Sequence, residues 1–384
     1  MYQITLPQKI VYGNQAIHET GKIASKFGLK TLIITDKLIV SLNLLEDVLF
    51  SLKEEKLDWK IFDGVDREPT DEIVTAALAF YHRGSYDSII AVGGGSCIDT
   101  AKAVAVLTHN TGSYADFAIG KAIVQKPLPL IAIPTTAGTG SEVTDVTVIT
   151  DTQKDIKYMM KQAAFLPYAA IIDPQMSRTS PAFVTASTGL DSLCHALESF
   201  ISKQAQPITK LFSLSAIKLI MENLTVAYAE PDNLVARGNL AQAAMEAGIA
   251  FSNASVTLIH GMSRPVGALY HIPHGISNAI LLEAVINYTK PAIISELAAI
   301  AKYLNPDKKG TDHDLAECFF QDLQELIRRL EVPSYTSFGI EKKDFVKSLD
   351  KMANDAIASG SPSNNPIVPT LDEIKTIYLA SWQD

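Results

Sequence analysis

The chain has few cysteines, no long apolar run and no excess of basic charge, and each shortage removes a class of protein. Three cysteines in 384 residues, Cys97, Cys194 and Cys318, cannot build the disulfide framework of a secreted domain, so a reducing, cytoplasmic location is expected. No stretch approaches the roughly 18 uninterrupted apolar residues of a membrane span. The opening MYQITLPQKIVYG lacks a basic segment followed by an apolar one, so neither a membrane anchor nor a secretory signal is expected. With 33 Lys and Arg against 42 Asp and Glu, the net charge of -9 has the wrong sign for a phosphate-binding surface, and no nucleic-acid partner is expected. The Gly-x-Gly-x-x-Gly fingerprint of dinucleotide-binding loops is absent as well. An apolar content of 47% with 20% charged residues is an ordinary globular balance, and the length suffices for two domains.

The pattern of apolar residues divides the chain in two. TLIIT (31–35), WKIF (59–62), SIIAV (88–92), LIAI (130–133), VTVIT (146–150) and AAII (169–172) read as strands, with helical spacing between them as in DEIVTAALAFYHRG. Strands that are apolar throughout and separated by helices predict a mostly parallel sheet covered on both faces. After Asp173-Pro174 the chain becomes one helical pattern after another, for example ITKLFSLSAIKLIMENL. The expectation is an α/β domain over 1–180 and an all-helical domain over 181–384, with the boundary between 174 and 185. SGSPSNNPIVPT (359–370) reads as a loop before a last short helix.

Chemistry concentrates in the helical half. Asp191 and His195 lie four apart in TGLDSLCHALESF and so share one helix face. His260 and His274 bracket HGMSRPVGALYHIPHG. A lone histidine on a helix is more often structural than a ligand. One carboxylate and three imidazoles in Ala-, Gly- and Leu-rich surroundings are instead the donor set of a divalent transition metal such as iron or zinc. Cys194 points about 100° away from His195 on a helix and reads as packing.

Two loops of the α/β half suit a nucleotide. AVGGGSCIDTAK places Gly94, Gly95 and Ser96 between a strand and a helix, where backbone N–H groups and the helix dipole meet a phosphate. IPTTAGTGSEVT (133–144) follows another strand with small hydroxyl donors and two glycines. Asp36, at the end of TLIIT, suits ribose hydroxyls and repels the extra phosphate of NADP, although a helix cap is an equally ordinary use. NAD is the simplest common ligand. A sheet holding NAD and a helical domain holding a metal imply a cleft for hydride transfer.

At these residues the chain resembles the iron-dependent (group III) alcohol dehydrogenases, nearly end to end, through GGGSCIDTAK, PTTAGTGSEVT, TGLDSLCHALESF and HGMSRPVGALYHIPHGISNAILL. The resemblance implies metal ligation of Fe(II), or Zn(II), by Asp191, His195, His260 and His274. It implies cofactor contacts at Asp36, Gly94, Gly95, Ser96, Asp99, Thr135, Thr136, Thr139, Ser141, Thr144 and Lys157. It further implies small alcohols and aldehydes as substrates, and a homodimer or larger assembly in which YQITLPQKIVYG pairs between subunits. One position departs from the family: Arg264 stands where many members carry a proton-relaying histidine, and Arg cannot act as a base. Water or His271 is then the expected relay, and Arg264 is left to face a substrate carboxylate or to pair with a cofactor phosphate or a neighbouring acid. Phe251, Leu258 and Tyr270 are candidates for the substrate lining. The same residues are compatible with a hydroxy-acid or semialdehyde dehydrogenase, a transhydrogenase, a sugar-phosphate cyclase or lyase, or a non-catalytic sensor.

Overall fold

The structure, a computed structural model, describes residues 1–154 and 156–382. The chain divides into two compact units, one of Ile4–Ser180 and one running from Pro181 onward together with Met1–Gln3.

Among the described residues the first unit contains eight strands: β1 Lys9–Tyr12, β2 Lys30–Ile34, β3 Asp58–Phe62, β4 Ser88–Gly93, β5 Leu130–Pro134, β6 Val146–Asp151, β7 Ile156–Lys161 and β8 Ala169–Ile172. Six of them form one sheet in the order β1-β8-β5-β4-β2-β3, and every pairing in it is parallel. Alternate residues of each central strand enter different cores. Leu32, Ile34, Ile89 and Ala91 belong to one, whereas Ile33, Ile90, Val92 and Ile131 belong to the other. Both faces being covered, the strands read as apolar runs without polar alternation. Each such side chain stabilises the unit by about 1.5–3 kcal/mol relative to exposure.

The chain leaves β2 towards β3 and leaves β4 towards β5, in opposite directions across the sheet. The crevice at the carboxyl ends of β2 and β4 is therefore the topological switch point, where open parallel sheets bind ligands. Asp36 follows β2, and Gly94 and Gly95 follow β4.

VTVIT does not join the parallel sheet. It is β6, paired antiparallel with β7 in a separate hairpin. Asp151 fixes the reversal by accepting from the Gln153 and Lys154 N–H groups at 3.2 and 3.0 Å, and so short a connection permits only antiparallel pairing. IKYMMK gave no strand signal because its lysines interrupt the apolar run. Lys9–Tyr12, part of the segment expected to pair between subunits, pairs with β8 of its own chain and forms the edge of the sheet.

The second unit is helical, with no strand beyond Ile172 among the described residues. With α1 denoting Gly95–Leu107 in the first unit, the helices that build the site are α2 Ala182–Ile201, α3 Pro207–Ala229, α4 Leu234–Ala254, α5 Leu258–Tyr270 and α6 His274–Thr289. Helix α3 is long and apolar enough to cross a membrane by length and composition alone, and 33% of its apolar window is buried. It packs against α2 and α4 and carries Lys210, Lys218 and Glu222.

Glycine sets the closest approach in this unit. A Cβ on Gly275 would lie 2.1 Å from the Ser187 carbonyl oxygen, so only glycine lets the start of α6 touch the backbone of α2. That contact brings His274, the first residue of α6, alongside Asp191 in the middle of α2.

Candidate functional site

Asp191, His195 and His260 form a buried cluster whose potential ligand atoms all lie within 4.8 Å of one another. The side chains converge from three helices: Asp191 and His195 stand one turn apart on α2, His260 is the third residue of α5, and His274 opens α6. Nε2 of His260, His274 and His195 lies 3.5, 3.7 and 4.0 Å from the same oxygen, Oδ1 of Asp191. These separations are too long for hydrogen bonds of the ordinary 2.7–3.2 Å. They match donor atoms that share one cation, since ligands about 2.1 Å from a tetrahedral centre stand about 3.4 Å apart. The residues present therefore fit a divalent metal. His274 is the outer member, its side chain 44% exposed, while Asp191 and His260 are almost completely enclosed.

Electrostatics set the roles. Burial pushes the Asp191 carboxyl up, but the surrounding imidazoles of His195, His274 and His260 outweigh it and hold the group well below the usual carboxylate range. Burial pushes His195 down to about 3, with Asp191 opposing, so its ring is neutral and carries a lone pair suited to a metal. Its ring stacks at 4.2 Å on Phe251 and at 4.4 Å on His260, and its Nδ1 has no hydrogen-bond partner among the described residues. Packing orients this ligand.

His260 is held differently, by a carboxylate that spacing alone did not single out. Glu198 is fully buried and bonds Nδ1 of His260 closely. It also accepts from Thr257 Oγ1 at 3.0 Å and from the backbone N–H groups of Ile259 and His260 at 2.7 and 3.2 Å. Against the lowering effect of burial, Glu198 and Asp191 raise His260 to about 9. A carboxylate on Nδ1 leaves Nε2 as the ligand atom and fixes the ring plane. The signal was present in the sequence: Asp191, His195 and Glu198 stand at steps of four and three on one helix stripe. Asn278, a turn after His274, was also missed. Its Nδ2 donates to Asp191 Oδ1 at 2.7 Å and faces Nε2 of His260 and His274 at 3.2 and 3.4 Å.

Other second-unit candidates divide. Phe251 adjoins His195, whereas Leu258 is enclosed in the core and Tyr270 stacks on Phe345. Arg264 donates to Ser361 Oγ at 3.2 Å; burial lowers its pKa, and the Glu198 charge opposes that. His271 is exposed and ends α5 in the left-handed conformation at φ 54°.

In the first unit, the glycine turn and the hydroxyl loop meet. Gly93 sits at φ +153°, and a Cβ there would lie 2.5 Å from Cys97 Sγ. Gly94 caps α1 and, being glycine, offers no side-chain cap, so the first N–H groups, those of Gly95 and Ser96 included, suit a ligand. Thr136 and Thr139 lie against this turn: a Cβ on Gly94 would be 3.6 Å from Thr136 Oγ1 and one on Gly95 3.0 Å from Thr139 Cγ2. Thr135 is tied to Gly93 by a backbone bond of 3.1 Å. Asp36 serves as the helix cap. Its Oδ1 caps the helix Lys37–Ser41 through Ile39 N at 2.8 Å, and its Oδ2 faces the glycine turn, 3.7 Å from Cys97 Sγ. Asp99, Ser141 and Thr144 are engaged with one another and with Lys102, and Lys157 stands on β7 paired with Glu68.

A phosphate-accepting turn at the switch point of a parallel sheet and a three-imidazole, one-carboxylate centre in a helical unit equip a metal-dependent dehydrogenase, and that is the class these two units define. The family profile described as iron-containing alcohol dehydrogenase matches residues 7–174, and its C-terminal counterpart matches 185–382. The chain belongs to the iron-containing alcohol dehydrogenase family. It is 34% identical to an NAD-dependent methanol dehydrogenase of Bacillus methanolicus, over 98% of this chain and 99% of that protein. It is 35% identical to a 1,3-propanediol dehydrogenase of Klebsiella pneumoniae, over 100% of this chain and 99% of the relative. Among solved structures, a 1,3-propanediol oxidoreductase superposes with a TM-score of 0.95 at 33% identity, covering 100% of both chains.

Proposed function

We propose that this NAD-dependent alcohol dehydrogenase interconverts small primary alcohols or diols and their aldehydes, with the substrate oxygen at the centre formed by Asp191, His195, His260 and His274. The convergence of three Nε2 atoms on one buried carboxylate oxygen carries the proposal. When bound, Fe(II) or Zn(II) supplies Lewis acidity to that oxygen and NAD accepts the hydride. Asp191 lowers the net charge of the site below that of three imidazoles alone, and Glu198 holds His260 in register. Gly94, Gly95, Ser96, Thr135, Thr136 and Thr139 take the pyrophosphate side of the dinucleotide, Asp36 the ribose, and Lys157 the rim of the site. Protons leave through water or through His271. Because Arg264 is partly buried and donates to Ser361, neutral alcohols are preferred to ω-hydroxy acids.

The test is an NADH-absorbance panel on anaerobically prepared, iron-loaded protein with C2–C6 alcohols, diols and equal-length hydroxy acids. NADH accumulation with a simple alcohol or diol is expected. Turnover of hydroxy acids alone would move the assignment to that class, and no turnover with any of them would leave a sensor or cyclase.

Cofactor choice gives a second test. With Oδ2 at the glycine turn, where only the weak Cys97 thiol donor meets it, Asp36 is expected to favour NAD over NADP by about a hundredfold in kcat/KM, since like charges brought together cost several kcal/mol. Asp36→Gly is expected to narrow that ratio by about tenfold or more, the size of one lost charge repulsion. An unchanged ratio removes Asp36 from cofactor selection. We further place the protein in the cytoplasm, its cysteines free, as a homodimer or larger assembly whose contacts include the open edge of β1.

A further inference from the structure

We propose that Lys102 is a positioning residue for dinucleotide binding: its buried ammonium pins the loop over 134–145 against α1, and Asp99, Ser141 and Thr144 serve the cofactor through that pin, not by touching it. The proposal rests on the assignment of this loop to NAD.

Lys102 is 1% exposed, among the largest fully buried side chains of the protein, and it projects from a helix of Ala, Val and Ile. An ammonium in such surroundings is costly unless every proton is used. Here all three are. Nζ donates to Ser141 Oγ at 3.2 Å, to Thr144 Oγ1 at 2.9 Å and to the Val146 carbonyl at 2.6 Å. Asp99, one turn earlier on α1 and 3.9 Å from Nζ, accepts the Ser141 hydroxyl proton and the Val148 N–H at 3.0 Å. Thr147 Oγ1 adds a bond of 2.9 Å to the Asp99 carbonyl. One face of α1 thus grips the end of the loop and the first residues of β6.

The other end of the same helix is the ligand end. Lys102 follows Gly95 by seven residues, two turns along α1, so both lie on one stripe. The loop spans that stripe, with Thr136 and Thr139 against the glycines and Ser141 and Thr144 on the ammonium. Slackening the lower anchor would let the upper hydroxyls drift from the phosphate turn. The hydroxyls of Ser141 and Thr144 are consumed inside the protein, which leaves Thr135, Thr136 and Thr139, the last accepting only the Ser141 N–H at 3.3 Å, as the loop hydroxyls able to donate to a cofactor. Burial pushes Lys102 down to about 8, with the charges of Asp99 and then Glu142 opposing.

The test uses the full, metal-loaded chain and NADH fluorescence titration. Lys102→Met keeps length and removes the ammonium. NADH binding is expected to weaken by about tenfold, the scale of a lost charge-assisted network, with kcat at saturating NAD little changed, metal content unchanged and faster amide exchange over 134–145. Thr144→Val is expected to act in the same direction by about threefold, as loss of one neutral acceptor does, and Thr144→Ser to restore binding. Native NADH affinity in folded Lys102→Met overturns the proposal. If that variant does not fold, native affinity in Thr144→Val overturns it instead. Thr139→Val tests the underlying assignment separately: unchanged NADH binding there removes the loop from the cofactor site. Loss in Thr139→Val without loss in Lys102→Met removes only the pin.

Discussion

Asp191→Asn is expected to lose bound metal and to lower kcat/KM by about a thousandfold or more, about 4 kcal/mol at 1.4 kcal/mol per tenfold. The substitution preserves shape but removes the one negative charge on which His195, His260 and His274 converge. It also replaces an acceptor-only oxygen pair, to which Asn278 donates at 2.7 Å, by an amide with one acceptor. Elemental analysis of anaerobically purified protein, beside the alcohol assay, reads both effects. His195→Ala should behave alike, leaving a hole beside Phe251 that added imidazole can fill and so restore part of the metal. Wild-type metal stoichiometry and turnover in either variant would show that these side chains serve structure only.

Glu198→Gln is the second large effect, although this residue touches no proposed metal position. Its carboxylate takes four donors: the Nδ1–H of His260, the Thr257 hydroxyl and the N–H groups of Ile259 and His260. A glutamine in the same place must turn an NH₂ towards at least one of these donors inside a fully buried pocket. Charge-assisted bonds contribute about 1.5–3 kcal/mol each, and second-shell carboxylates typically change metal affinity by about 10–100-fold. The expected result is weaker iron or zinc binding by that factor, measured by competition with a chelator, together with a lower melting temperature. A variant that unfolds at a lower temperature but binds metal with native affinity would make Glu198 a helix-start anchor and no more.

Much of this was legible before the coordinates. The parallel sheet follows from apolar runs with no polar alternation, since Leu32 and Ile33 enter opposite cores and neither can be polar. Asp191 and His195 are legible because a helix brings positions four apart together. What escaped depends on long-range contacts. Glu198 was passed over because its partners, Thr257 through His260, are 59 to 62 residues away. Lys102 stood in a quoted motif, but nothing local says that its ammonium is buried; only the return of the chain at Ser141 and Thr144 does so. VTVIT was assigned to the wrong sheet because its own composition suits either, and the choice is made by the Asp151 turn beyond it.

The missing side chain at Gly275 has a consequence for how this catalyst can vary. Since His274 takes its place from backbone touching backbone at Ser187, the polyhedron of donors is insulated from the stretch that joins it to His260. Residues such as Ala268 and Leu269, exposed on the last turn of α5, are free to drift and reshape the local surface without retuning the ion. Innovation and coordination are thereby uncoupled within a dozen residues of one another.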